Sequence, residues 1–124
     1  MRRRMTQYRD VFLRATGQEL YPGTLNVVVG REVVVKEDFR ILGSDIDEPN
    51  QDLVFERCLI DGKPAFRIRP LDAFGKGGHG DQVLEITCSQ QLPNDHGTEV
   101  VVEFLGNKPH PAETAYFSEV ARPG

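Results

Sequence analysis

The chain contains no tryptophan and only two cysteines among its 124 residues. Cys58 and Cys88 form no C-x-x-C pair and have no histidine at ligand spacing, which excludes the common zinc and dithiol motifs. Each cysteine lies within an apolar, strand-like run, where a free thiol behaves as a small hydrophobic group. We therefore expect both cysteines to be buried and reduced, as in cytoplasmic proteins.

Long apolar runs are also missing. No stretch approaches the roughly 18 apolar residues that a membrane-spanning helix needs. The arginines at residues 2–4 are not followed by the apolar segment of a signal peptide. We expect no membrane partner and a cytoplasmic location.

Basic residues are in the minority, because 15 lysines and arginines face 19 acidic residues and give a net charge of −4. This balance provides no general attraction to nucleic acid, and we expect none to bind. The length suits one domain with its own hydrophobic core. We predict a single, monomeric domain over residues 1–107, followed by a proline-containing C-terminal tail over residues 108–124.

One amphipathic helix is predicted over residues 3–16. Met5, Tyr8 and Phe12 recur at helical spacing, and Gly17 is suited to end the helix. The rest of the pattern is typical of short strands. The dipeptide at residues 61–62, Asp-Gly, is the strongest hairpin signal in the chain. Strands are predicted over residues 25–29, 33–35, 53–60, 65–69, 83–88 and 100–105. Six short strands with one helix indicate a mainly-β fold, either a small barrel or a compact sandwich.

Two long connections interrupt the strands. Residues 37–52 are acidic but carry interspersed apolar side chains, so we expect this segment to pack down as a flap. Residues 70–81 are rich in glycine. Their backbone N–H groups and Lys76 could bind a phosphate, although such a loop can also be merely flexible, and His79 within it can lack any role.

The turn before the first strand carries the most informative polar pair. Pro22-Gly23 predicts a tight turn, and the alternation of a strand then places Thr24 and Asn26 on one face, opposite Leu25. The hydroxyl and the amide offer two neutral oxygens of the kind that Mg²⁺ binds. Two such ligands are too weak alone, so phosphate oxygens would have to complete the coordination shell of the ion. The alternative is that both side chains only satisfy backbone groups of the turn.

A carboxylate stands out in the strand over residues 83–88. Alternation places Glu85 on the face opposite Leu84 and Ile86. Glu85 can be an ordinary solvent-facing residue of a half-buried strand. If its face lines a cleft, it can instead take a proton from a substrate hydroxyl as a general base.

The segment Tyr21-Pro-Gly-Thr-Leu-Asn-Val27 resembles the signature of the archaeal-type CTP-dependent riboflavin kinases. Three further segments are similar to that family in order and spacing. They cover residues 12–17, 58–70 and 79–86, and the resemblance as a whole spans residues 8–105. It implies a six-stranded cradle-loop β-barrel with an N-terminal helix.

The resemblance also implies an activity, which is transfer of a phosphoryl group from CTP to the 5′-hydroxyl of riboflavin to give FMN. The threonine and asparagine of the signature hold Mg²⁺ in that family and match Thr24 and Asn26. The strand glutamate matches Glu85, for which we hypothesise a catalytic role near the ribityl hydroxyl. Substrate and nucleotide binding is assigned to Tyr21, Pro22, Gly23, Lys76 and His79.

The chain departs from this family ahead of its first helix. Family members carry a glycine-rich segment there, whereas no glycine precedes Gly17 in this sequence. A catalytically inactive flavin- or nucleotide-binding module of the same fold is therefore the alternative. A DNA-binding barrel is a third hypothesis, which the acidic balance disfavours.

Overall fold

The computed structural model describes residues 1–72, 82–92 and 100–104, together with the backbone of residues 99 and 113–119. Two helices precede seven strands, and one short 3₁₀ helix, Gly43–Ile46, interrupts the strands. The helices are α1 (Arg2–Gln7) and α2 (Arg9–Thr16). The strands are β1 (Leu25–Val29), β2 (Phe39–Ile41), β3 (Gln51–Ile60), β4 (Lys63–Asp72), β5 (Val83–Thr87), β6 (Glu99–Phe104) and β7 (Glu113–Glu119).

Six of the strands form an antiparallel ring. The order is β3-β4-β5-β1-β7-β6, and β6 pairs back onto β3. The short strand β2 pairs with one end of β3 while β6 pairs with the other end. The prediction of a mainly-β, six-stranded barrel with an N-terminal helix is confirmed.

The membership of the ring differs from the sequence prediction. Residues 33–35, predicted as a strand, are not part of the sheet, whereas β2 and β7 come from segments where no strand is predicted. β7 lies within the segment 108–124 that is predicted to be a tail, and it pairs with both β1 and β6. The prediction of a C-terminal tail is therefore wrong for residues 113–119, which form a strand of the barrel.

Side chains from inside the barrel explain why residues 33–35 form no strand. Arg67 donates a hydrogen bond to the carbonyl oxygen of Val33, and the backbone N–H of Lys36 donates to Glu56 at 3.0 Å. Backbone polar groups must find partners when they are covered, and here charged side chains take the place of a neighbouring strand. The segment is thus bound to the barrel through side chains and is not a strand of the sheet.

The predicted single helix is divided into two. Tyr8 joins them with φ −111° and ψ 37°, which lies outside the helical region. The sulfur of Met5 meets the backbone N–H of Gly23, whereas the ring of Phe12 packs edge-on against Phe55 with centroids 6.3 Å apart. The two helices therefore make different long-range contacts, α1 with the turn before β1 and α2 with β3. No helix among the described residues is long and apolar enough to cross a membrane.

The barrel interior is an apolar core formed by one face of every strand in the ring that has described side chains. Strand alternation accounts for it, because inward residues recur at every second position. The buried residues of this core are Leu25, Val27, Val29, Val33, Cys58, Ile60, Ala65, Leu84, Ile86, Cys88, Val100, Val102 and Phe104. Cys58 and Cys88 are both buried and free, as the sequence predicts.

A second apolar core fills the space between the helices and the outer face of β3 and β4. Met5 and Phe12 enter it from the two helices, and Phe55 and Phe66 from the strands. Phe39 of β2 stacks on Phe55 with centroids 4.9 Å apart. Both faces of β3 are therefore buried near its centre, and the helical layer is held to the barrel by aromatic contacts.

The acidic segment 37–52 packs down, as predicted. Its apolar side chains Ile41 and Ile46 are buried in the second core. Asp52 accepts hydrogen bonds from the backbone N–H of Gly43 at 2.8 Å and from Arg40 at 2.9 Å. These bonds hold the pKa of Asp52 below its ordinary value, the Gly43 bond being the larger cause.

The hairpin at Asp61-Gly62 is confirmed. Both residues have positive φ, 48° and 78°, as a type I′ turn requires. The turn joins β3 and β4 in a ladder that runs without interruption from Gln51 opposite Asp72 to Ile60 opposite Lys63.

Candidate functional site

The turn that leads into β1 is fixed at the end of β5. The backbone N–H of Tyr21 donates to the carbonyl oxygen of Cys88 at 2.9 Å. Gly23 has φ 113°, a conformation that residues with a side chain rarely adopt. Local turn chemistry and this one long-range bond together place Thr24 at the mouth of β1.

The alternation predicted for β1 is present. Leu25, Val27 and Val29 are buried in the barrel interior, and Asn26 and Val28 are half-buried between them on the other face. Thr24, which precedes the strand, is half-buried as well. Two oxygen-bearing side chains therefore stand on the outer face of the barrel at the start of this strand.

Strand pairing brings Glu85 to the same place. Asn26 lies directly opposite Glu85 in the β1–β5 ladder, and the Thr24 hydroxyl donates a hydrogen bond to Glu85 Oε1 at 3.1 Å. Glu85 is half-buried. The Thr24 hydroxyl hydrogen goes to a carboxylate and not to the turn backbone. We call Thr24, Asn26 and Glu85 the oxygen cluster.

Helix α1 lies beside the oxygen cluster. The backbone N–H of Gly23 donates to the sulfur of Met5 at 3.3 Å, and a side-chain carbon added at Gly23 would lie 3.9 Å from Cβ of Arg2. Burial lowers the pKa of the Met1 amino group, and the negative charge of Glu85 acts in the opposite direction. The start of the chain therefore lies within electrostatic reach of the cluster.

Thr87 is a neighbour of the cluster that the sequence analysis did not single out. It lies two residues beyond Glu85 on the same face of β5, opposite Phe66 of β4, and it is 1% exposed. Its hydroxyl has no hydrogen-bond partner among the described residues. Strand alternation from Glu85 was the signal that could have identified it.

The other predicted site residues are not members of the oxygen cluster. Tyr21 is 46% exposed and Pro22 is half-buried, both in the turn next to the cluster. Lys76 and His79 lie outside the described residues. The structure thus brings six of the predicted positions to the start of β1, namely Tyr21, Pro22, Gly23, Thr24, Asn26 and Glu85.

The donor set fits a hard divalent cation. A hydroxyl, an amide oxygen and a carboxylate are oxygen ligands of the type that Mg²⁺ prefers, and Mg²⁺ commonly binds through few protein groups plus phosphate oxygens. Within the described part of the chain, no three or more His, Cys, Asp or Glu side chains are grouped to hold a metal. Any magnesium site there depends on neutral oxygens such as those of Thr24 and Asn26.

Two surface cavities lie away from the cluster. One of about 250 Å³ lies next to the end of β5 and is lined by Gln18, Lys63, Pro64, Cys88, Ser89 and Gln90. Another of about 360 Å³ lies between the acidic segment and the end of β4. Neither includes a residue of the oxygen cluster.

Comparisons of the chain with protein-family models, curated proteins and solved structures found no match.

Proposed function

We propose that this protein is a riboflavin kinase that transfers a phosphoryl group from CTP to the 5′-hydroxyl of riboflavin. The observation that carries the proposal is the contact of Thr24 with Glu85 at 3.1 Å, with Asn26 directly opposite the same carboxylate. These are the residues for which the resemblance of the 21–27 signature and of the β5 segment implies a role. Phosphoryl transfer suits a site with few ionisable groups, because positioning and charge neutralisation do most of the work.

In this proposal Thr24 and Asn26 hold Mg²⁺ together with oxygens of the nucleotide phosphates. When bound, the ion neutralises charge on the transferred group and on the leaving diphosphate. The rigid β1–β5 ladder keeps the hydroxyl and the amide on one face, and the positive φ of Gly23 lets the backbone turn close to a ligand. The backbone thereby positions the phosphates relative to Glu85.

Glu85 acts as the general base of the proposed reaction. A carboxylate has acceptor sites on both oxygens, so the hydrogen bond from Thr24 to Oε1 is compatible with a second one from a substrate hydroxyl. The proton moves from the riboflavin 5′-hydroxyl to the carboxylate as the hydroxyl oxygen attacks the γ-phosphorus of CTP, whose bond to the bridging oxygen breaks and releases CDP. The cross-strand neighbours Asn26 and Ile68 keep Glu85 on this face.

The test is an assay of FMN formation with riboflavin and Mg²⁺, with CTP and ATP in parallel. We expect turnover with CTP, and a loss of about 10²–10⁴-fold in kcat for Glu85→Gln, the range typical of a general base. Asn26→Ala is expected to need a higher Mg²⁺ concentration, whereas added Mg²⁺ leaves Glu85→Gln inactive. Val28→Ala, on the same face of β1, is the matched control and should retain activity.

Folded protein that forms no FMN with either nucleotide would contradict the kinase. The alternative is an inactive flavin- or nucleotide-binding module, and it rests on the absence of glycine before Gly17, where the resembling family carries a glycine-rich segment. Because the chain lacks tryptophan, binding is best followed by flavin fluorescence. Quenching by the protein without phosphorylation would support the alternative.

A further inference from the structure

The first helix has few features that would make it stable by itself. It has six residues, no side-chain N-cap and no acidic residue in its first turn. It begins with three arginines, whose charges oppose the positive end of the helix dipole. Helices this short do not persist alone in water, so α1 depends on what it contacts.

Two contacts of α1 are specific, and each involves a different part of the protein. Met5, its only buried residue, reaches the turn at Gly23. Arg4 donates to the side-chain oxygen of Gln51 at 3.1 Å and lies 3.6 Å from the carboxylate of Glu48. Residues 1–7, which we call the strap, are thus held to Gln51 and Glu48 by Arg4 and contact the turn at Gly23, next to the oxygen cluster, through Met5.

The bond between Gly23 and Met5 is chemically unusual. A backbone N–H that lies next to Thr24 is donated to a thioether sulfur, which is a weak acceptor. A phosphate oxygen is a much better partner, because hydrogen bonds to charged acceptors are roughly twice as strong as neutral ones. Met5 therefore occupies a donor that an anionic ligand would use better.

The break at Tyr8 provides a joint for the strap. Its backbone leaves the helical region, while α2 beyond it is held by buried Phe12 and by Gly17 at its end. Opening at Tyr8 would remove α1 from the turn at Gly23 and Met5 from the second core, while Phe12 keeps α2 in place. The break at Tyr8, the short helix α1 and Met5, which contacts Gly23, all lie within residues 2–8.

We propose that the strap is autoinhibitory: it covers a phosphate-oxygen site at the Gly23 N–H beside the oxygen cluster, and Arg4 keeps it closed. The proposal rests on the proposed function for the nature of the ligand, a phosphate-bearing molecule. A ligand that binds only the open state must also shift the protein from closed to open. Its apparent affinity is therefore lower when a larger fraction of the protein is closed. Loosening the strap must then tighten anion binding.

The experiment compares Arg4→Gln with Arg3→Gln in the full chain. Both variants remove one positive charge from α1, but Arg3 is exposed whereas Arg4 is fastened to Glu48 and Gln51. Hydrogen–deuterium exchange of residues 2–8 and of Gly23 reports opening. Calorimetric titration with inorganic pyrophosphate and Mg²⁺ reports the anion site.

We expect faster exchange in Arg4→Gln than in Arg3→Gln, and pyrophosphate binding at least about threefold tighter than in the unaltered protein. Loss of a positive charge alone weakens anion binding, so Arg3→Gln should bind the same or less tightly. Met5→Leu is a second variant, which keeps the apolar volume and removes the acceptor sulfur. It should also exchange faster at Gly23 and bind pyrophosphate more tightly.

Equal exchange in the two arginine variants would overturn the fastening role of Arg4. Faster exchange without tighter pyrophosphate binding, or no binding in any variant, would overturn the covered anion site. The kinase proposal fails separately: if the expected exchange and binding changes occur while no variant forms FMN, the strap is supported and the phosphoryl transfer is not.

Discussion

Cys58 illustrates how position inside the barrel changes a single residue. The thiol is buried, and this burial raises its pKa to about 12, with a further rise from the negative charge of Glu56. Thiolate is the reactive form of cysteine, so a raised pKa makes the residue inert. The sequence predicts a buried cysteine from its apolar neighbours, and strand alternation places Glu56 on the same face, but only the structure shows that both side chains are fully buried.

We expect Cys58 to resist alkylation in the folded protein. At pH 8 an unperturbed thiol with a pKa near 8.5 is about one quarter ionised, so a pKa of about 12 lowers the thiolate fraction by about two thousandfold. Iodoacetamide labelling followed by peptide mass spectrometry should show modification of Cys58 only after urea is added. Rapid labelling without urea would contradict a buried, protonated thiol.

At the scale of elements, the acidic segment between β2 and β3 depends on one glycine. Gly43 is buried at the start of the 3₁₀ helix, and a side-chain carbon added there would collide with the carbonyl oxygens of Glu48 and Gln51. Its backbone N–H donates to Asp52. The sequence predicts that this acidic segment packs down. The structure shows that its packing depends on the close approach of the Gly43 backbone to the carbonyl oxygens of Glu48 and Gln51.

Gly43→Ala should therefore destabilise the protein by about 2 kcal/mol or more, because the colliding atoms belong to the backbone and cannot move aside cheaply. Gly30→Ala is the matched control, since no atom lies within 4 Å of an added side-chain carbon there and its φ is not positive. We expect a change within about 0.5 kcal/mol for the control. Urea denaturation measures both, and equal midpoints would contradict the steric argument.

At the scale of the whole molecule, a charged pair inside the barrel binds residues 33–36, the segment that follows β1. Glu56 and Arg67 lie opposite each other in the β3–β4 ladder and are 1% and 0% exposed. Through Lys36 and Val33 they bind the backbone of the segment after β1. A buried pair of this kind is costly to desolvate, and each member makes one hydrogen bond to the backbone of the segment after β1.

Arg67→Met should cost about 3–5 kcal/mol of folding free energy, because it leaves Glu56 charged and buried without its cross-strand neighbour. The double variant Glu56→Met with Arg67→Met should be less destabilised than Arg67→Met alone. Urea denaturation of both variants tests the coupling, and a double variant no more stable than Arg67→Met alone would contradict it. Faster hydrogen exchange of residues 33–36 in both variants would confirm that the pair holds this segment.

Several features followed from the sequence because local rules govern them. The turn at Asp61-Gly62 needs positive φ at two positions, and the two faces of β1 follow from the alternation of any strand. The end of the helix at Gly17 has the same origin, since its φ of 73° suits glycine. These features depend on neighbours within a few residues.

The tertiary structure alone decided which segments meet. It paired Asn26 with Glu85 and thereby assembled the oxygen cluster from two strands far apart in the chain. It recruited residues 113–119 into the ring and excluded residues 33–35, whose backbone groups found side-chain partners instead of a strand. It also laid α1 across the turn at Gly23. The physical reason is that such contacts depend on competition among distant groups for the same backbone donors and acceptors, which no local pattern records.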